Sequence, residues 1–147
     1  MKTTTSRRSL AILALLFAAL IVGCPDEPDP RPKAYDAFVE ELRSRGAVVE
    51  EQGTLNQPFI PIAGRTLVIE GESVQVYEFE DGSVAATFAK GISADGSSFR
   101  SGDNATIVDW IAPPHIHRSG PLLVIYVGSA PVTTILEVVL GAQIAGR

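Results

Sequence analysis

The chain has 147 residues, 46% of them hydrophobic and 20% charged, with a formal net charge of −5 and one cysteine. That length suits one globular domain, at about 100–200 residues per domain. Lys2, Arg7 and Arg8 account for three of the 12 basic residues and precede Gly23 in a segment without acids, leaving nine basic against 17 acidic groups beyond it, a net of −8. An acidic surface repels phosphate backbones, and no Lys/Arg cluster with interleaved aromatics offsets this, so nucleic acid is excluded as an expected partner. A single cysteine closes no intramolecular disulfide and builds no multi-cysteine zinc site.

The first element is a basic head, MKTTTSRRS, followed by 13 uninterrupted apolar residues from Leu10 to Val22. As a helix that run rises about 20 Å, short of a hydrocarbon core of about 30 Å, so it reads as the core of an export signal and not as a permanent span. The tetrapeptide Ile21-Val22-Gly23-Cys24 resembles the lipobox of bacterial lipoproteins. That resemblance implies a diacylglyceryl thioether on Cys24, cleavage after Gly23, and residence at the cell membrane or outer membrane, facing periplasm or exterior. Two or three acyl chains suffice for stable anchoring where one is marginal. Ser6-Arg7-Arg8-Ser9-Leu10 also resembles part of a twin-arginine signal, a pattern that lapses after Leu10. An ordinary signal, or a short N-terminal anchor, with an incidental cysteine is the alternative. The next eight residues, PDEPDPRP, cannot bury apolar area and favour an extended chain, so they read as a spacer. The expected organisation is a signal over residues 1–23, a lipidated Cys24 and linker over 24–33, and one globular domain over 34–147.

From Lys33 the period becomes helical, with Tyr35, Phe38, Val39 and Leu42 on one stripe, Arg43 and Arg45 near the end and Gly46 beyond. Strands are expected over Ala47–Glu51, Thr66–Glu70, Val74–Phe79, Ala105–Ile111 and Leu122–Val127, all rich in β-branched or aromatic residues. Leu122–Val127 is apolar on both faces and should be central, and Glu70-Gly71-Glu72-Ser73 should turn a hairpin. Helices are expected over Asp81–Lys90, opened by an acidic N-cap, and Pro131–Leu140, closed by Gly141 and buried through Val132, Ile135, Leu136 and Val139. "VQVYEFEDGSVAATFAKG" and "LLVIYVGSAPVTTILEVVLG" echo one another as strand, turn, helix and glycine. The predicted fold is therefore α+β: a two-layer antiparallel sheet with helices on one face, with possible repeated ββα units after a leading helix.

Residues 35–147 also resemble, over nearly their whole length, a family of uncharacterised small bacterial lipoproteins. The matching pieces are "LRSRGAVVE", "QPF", "VQVYEF", "DGSS", "WIAPPH", "LLVIYVG" and "LGAQIAG". The resemblance implies placement and fold and carries no activity.

One stretch holds chemical promise, Asp109 to Arg118 (DWIAPPHIHR). In an extended segment His115 and His117 share a face and can offer two imidazoles to a metal, with Asp109 or Asp103 as oxygen ligand. H-x-H is a weak pattern, a catalytic metal takes three protein ligands, and histidines serving the fold are the plainer reading. Trp110 is either half-exposed for a sugar or partner, or an indole covering the core or a hairpin. Pro113-Pro114 marks an edge, a bulge or a break, since proline donates no ladder hydrogen bond. No nucleophile elbow, phosphate-binding glycine loop or EF-hand loop is present, and Asp95-Gly96-Ser97-Ser98 reads as an Asx-type turn.

These patterns lead to an expectation of a lipid-anchored envelope protein, not an enzyme, with a domain that binds a protein partner or presents a surface. No cofactor, metal or catalytic residue is expected; membrane contact is through the lipid on Cys24. The alternative is a small-ligand or metal-binding domain using Trp110, His115 and His117. A concave apolar pocket beside Pro113-Pro114 would favour that alternative.

Overall fold

The computed structural model describes residues 34–129 and 131–146. The expected signal, Cys24 and the linker lie outside the described residues. Over the described residues the protein is an α+β domain in which three helices pack against a six-stranded antiparallel sheet, with a separate two-stranded hairpin. In chain order the elements are α1 (Ala34–Ser44), β1 (Val49–Leu55), β2 (Gly64–Ile69), β3 (Glu72–Glu78), α2 (Gly82–Ala89), β4 (Ser98–Ser101), β5 (Asn104–Ile107), β6 (Pro114–Ser119), β7 (Leu122–Val127), α3 (Val132–Leu140) and β8 (Ala145–Gly146). The sheet order is β1-β2-β3-β7-β6-β8, and β4 pairs with β5.

The stripe on α1 is the predicted one: Tyr35, Phe38, Val39 and Leu42 are buried. They meet Leu67 and Ile69 of β2, Val74 and Val76 of β3, and Leu122, Val124 and Tyr126 of β7, together with Val132 and Leu136 of α3. The register makes these strand residues neighbours, since Leu67 faces Val74 and Val76 faces Val124 across their ladders. The expected hairpin is a two-residue turn, with Ile69 paired to Glu72 and with Glu70 and Gly71 at φ of 52° and 84°. Positive φ at both positions matches the twist of the flanking strands. Glu70 tolerates that conformation while its carboxylate accepts the Val48 N–H at 2.8 Å and its own N–H donates to the Val48 carbonyl at 3.1 Å.

The intervening residues of the same strands point the other way and build a second core. Tyr77, Leu123, Ile125 and Ile116 are buried there against Ala85 of α2, Phe99 of β4, Ile60, Phe79 and Ala145. Helices α1 and α3 thus share one face, as expected, while α2 covers the other beside the hairpin. The both-sided apolarity of Leu122–Val127 is the physical cause, because a strand buried on two faces needs cover on two faces. The order strand-strand-helix does recur, as β2-β3-α2 and β6-β7-α3. The echo is one of order and not of symmetry: a two-fold relating antiparallel β3 and β7 would put both helices on one face.

Most expected boundaries move by one or two residues, and two strands change more. The Ala105–Ile111 strand shortens to β5 and leaves the main sheet for the hairpin with β4. Its place beside β7 is taken by β6, whose first residue is Pro114, where the missing N–H is tolerated. β1 runs on through a bulge between Glu51 and Thr54, so the outer edge of the sheet is kinked and carries Glu50 and Glu51.

Candidate functional site

Strand β6 holds both histidines. His115 pairs with Tyr126 and His117 with Val124, so the two imidazoles share the α1/α3 face, as their spacing predicts. Burial is deep, at 8% exposure for His115 and 0% for His117. His115 stacks on Tyr126 with 6.0 Å between ring centroids. Its Nδ1 lies 2.9 Å from Gln143 Oε1 and its Nε2 3.1 Å from the Gly128 carbonyl oxygen. His117 Nδ1 donates to the Gly141 carbonyl at 2.9 Å, and its Nε2 has no hydrogen-bond partner. Burial lowers the pKa of His117 below its ordinary value, against smaller upward pulls from the Gly141 hydrogen bond and from Glu137. A buried neutral imidazole held by a backbone carbonyl is a part of the fold.

Trp110 belongs to the opposite face. Its indole meets Phe59 edge-on at 5.9 Å and Phe99 at 6.3 Å, and Nε1 donates to the Gly96 carbonyl at 2.8 Å. It therefore covers the hairpin, and the sheet separates it from His115 and His117. The three residues named as one ligand region do not converge. Asp103 and Asp109 are exposed. Among the described residues no group of three His, Cys, Asp or Glu side chains is placed to hold a metal.

Other polar candidates are likewise committed to local structure. Asp81 caps α2, its Oδ1 accepting from the Ser83 hydroxyl at 2.6 Å, from the Val84 N–H at 2.9 Å and from the Ser83 N–H at 2.6 Å, which together lower its pKa. Asp95 accepts from the Ser93 hydroxyl at 2.6 Å and from the Ser97 N–H at 3.1 Å, and these bonds hold its pKa at about 2. That is the expected Asx-type turn. Two open hollows, of about 360 and 290 Å³, lie between α2 and the hairpin and between α3 and the start of β1. Neither is lined by His115, His117 or Trp110.

The domain has two distinguishable ends. At one, Ala34 and Ala37 of α1 lie beside the β6–β7 turn at Gly120 and Pro121, so the chain enters the domain there. At the other, some 20 Å along six residues of β6, Gly96 abuts Pro114, Ile116 and Gly146. The Val108 N–H donates to the Ser97 carbonyl at this second end, which places Ile107 there, with Ile111 three residues before Pro114. Ile107 is 82% exposed and Ile111 101%. These two residues escaped the sequence reading because they fell inside one expected strand, where half of the side chains would face a core. The signal was the run Ile111-Ala112-Pro113-Pro114, since a residue so close before two prolines has little ladder to join.

Over the described residues the fold is a small α+β domain in which Asp81, Asp95, Trp110, His115 and His117 each hydrogen-bond to neighbouring parts of the chain. No protein-family model, curated protein or solved structure matches the chain. Among the described residues no helix is long and apolar enough to cross a membrane.

Proposed function

We propose that the protein is a lipid-anchored component of a bacterial cell envelope, tethered through Cys24 after removal of residues 1–23. On this reading the domain over residues 34–147 is a non-enzymatic binding module that presents one end to a protein partner. The observation that carries the binding reading is the pair Ile107 and Ile111, fully apolar, exposed, and set at the end of the domain away from the entry of the chain at Ala34. Branched apolar side chains standing in water at the far end of a tethered domain gain free energy when a partner covers them. The Pro- and acid-rich linker over 24–33 acts as the spacer that holds this end off the bilayer.

The ligand-binding alternative loses its support because Trp110 is on the face opposite His115 and His117, and because His115 Nε2 and His117 Nδ1 face the carbonyls of Gly128 and Gly141 while His117 Nε2 is buried away from solvent. A photo-reactive amino acid placed at Ile107 or Ile111 in the full chain, expressed in a bacterium, tests the module. A discrete crosslinked product from these two positions, with none from Glu40 on α1, is expected. Equal crosslinking from all three, or none, would refute the reading.

A further inference from the structure

The two histidines of β6 hold the segments flanking one helix, His115 on both sides of it and His117 at its C-terminal end. His115 Nε2 faces the Gly128 carbonyl upstream of α3, at 3.1 Å, and its Nδ1 faces Gln143 Oε1 downstream, at 2.9 Å. His117 Nδ1 donates to the carbonyl of Gly141, the residue directly after the helix. The chain then returns along β6, with the Ile144 N–H donating to the Ile116 carbonyl at 2.7 Å and Gly146 paired with His115. Beyond these bonds, α3 is held by Val132 and Leu136 in the core and by the half-buried Ile135, Val139 and Leu140 packed against it.

His117 is the member of this clasp that cannot be charged in place. Its ring is 0% exposed, one nitrogen is committed to Gly141, and the other, Nε2, is buried without a partner. The neutral Nδ1–H tautomer satisfies the bond to Gly141. A second proton would create both a buried charge and a buried N–H with no acceptor, each costly. The charged and titratable groups acting on the ring are Glu137 of α3, which favours the cation, and His115 of the same strand, which opposes it. β7 presents the non-titratable Val124 opposite the ring, while in the returning segment Gln143 meets His115 and Ala145 packs on the other face of the sheet. Burial outweighs Glu137, and the closed form takes the proton only below the ordinary 6.5.

We propose that α3 and residues 141–146 form an acid-releasable flap, clasped at neutral pH by the uncharged His117 ring and freed when that ring takes up a proton. Once freed, the imidazolium reaches water, and Val132 and Leu136 lift from the face that carries Val124 and Tyr126. The open form binds its proton near pH 6.5 and the closed form does not, so the opening constant rises by up to about tenfold per pH unit below 6.5 until the closed form is protonated as well. Above 6.5 both forms are neutral at this ring and the clasp is insensitive to pH.

Hydrogen exchange read by mass spectrometry on the full chain, from pH 7.5 to 5.0 and corrected for the intrinsic rate, tests this directly. Expected is a loss of protection in peptides covering 132–146, setting in below pH 6.5, while peptides covering β2 and β3 keep theirs. His117→Gln should make the 132–146 protection independent of pH over this range, and His115→Gln should leave the dependence in place. Flat protection in wild-type 132–146, a loss shared equally by β2 and β3, or a dependence that survives His117→Gln overturns the proposal. Should His117→Gln fail to fold, the ¹⁵N shifts of the wild-type imidazoles decide. A His117 ring that titrates below 6.5 in step with exchange supports the flap, and one that titrates at or above 6.5, or out of step with exchange, refutes it.

Discussion

Replacing Ile107 and Ile111 together by aspartate separates a binding end from a structural one. With exposures of 82% and 101%, the two side chains give up little or no buried area when replaced, so the folded state should lose no more than about 0.5 kcal/mol per site. In a domain of this size that is a fall in Tm of a few degrees. Binding is another matter. Covering an isoleucine fully is worth about 1.5–3 kcal/mol, so two of them contribute roughly 3–6 kcal/mol to a partner that buries both. At 1.4 kcal/mol per factor of ten, the double variant should bind at least about 100-fold more weakly. Calorimetry on the full chain gives the first quantity, and crosslinking yield from a neighbouring probe site, Ala105, gives the second. A drop in Tm beyond about 10 °C would mean that the pair belongs to the core, and an unchanged yield would mean that the partner reads another surface. Either result defeats the argument.

The three tyrosines all titrate above the ordinary value of 10. Burial, followed by the Glu51 carboxylate that accepts its hydrogen bond, pushes Tyr35 up to about 12, and burial raises Tyr77 and Tyr126 as well. The neutral phenols favour the folded form, so this contribution is complete below pH 10 and is lost as pH rises through the folded-state values. Absorbance at 295 nm should show no tyrosinate near pH 10 before unfolding, and a native titration step there would contradict the burial. Leu136→Ala, at a side chain of 0% exposure where α3 meets the sheet, should cost about 2–5 kcal/mol in urea unfolding. A loss under 1 kcal/mol would mean that α3 is loosely seated. Gly146→Ala should selectively strip protection from residues 141–146, because an added Cβ would stand 1.8 Å from the Pro114 carbonyl oxygen. Unchanged exchange there would show that the β6–β8 bridge is absent in solution.

Much of this fold is legible because its local signals are strong and agree. The α1 stripe has both the period and the C-terminal glycine, the Glu70-Gly71 turn has the two positive-φ positions that such a hairpin requires, and Asp81 stands where an N-cap belongs. The strand β6 is not legible, since it opens on Pro114 and alternates isoleucine with histidine, a pattern that reads as solvent-facing. Only tertiary contacts, the carbonyls of Gly128 and Gly141, make histidine acceptable at those buried places. The side chosen by α2 is equally hidden, because a helical stripe declares that it will be buried and not against which face. Tyr77, Leu123 and Ile125 were the available clue, three large apolar residues on the face left bare by the one-sided arrangement. For the candidate site, spacing gave the shared face of the two histidines but not their carbonyl partners, and sequence proximity placed Trp110 beside them when the sheet lies between.

Placement at a membrane through Cys24 is the claim on which the functional account stands. Intact-mass measurement of the protein purified from bacterial membranes tests it most directly. The account predicts a chain beginning at Cys24 and heavier than its polypeptide by a diacylglyceryl group, with or without a further acyl chain. A mature species that keeps residues 1–23, or one that carries Cys24 as a free thiol, would contradict it.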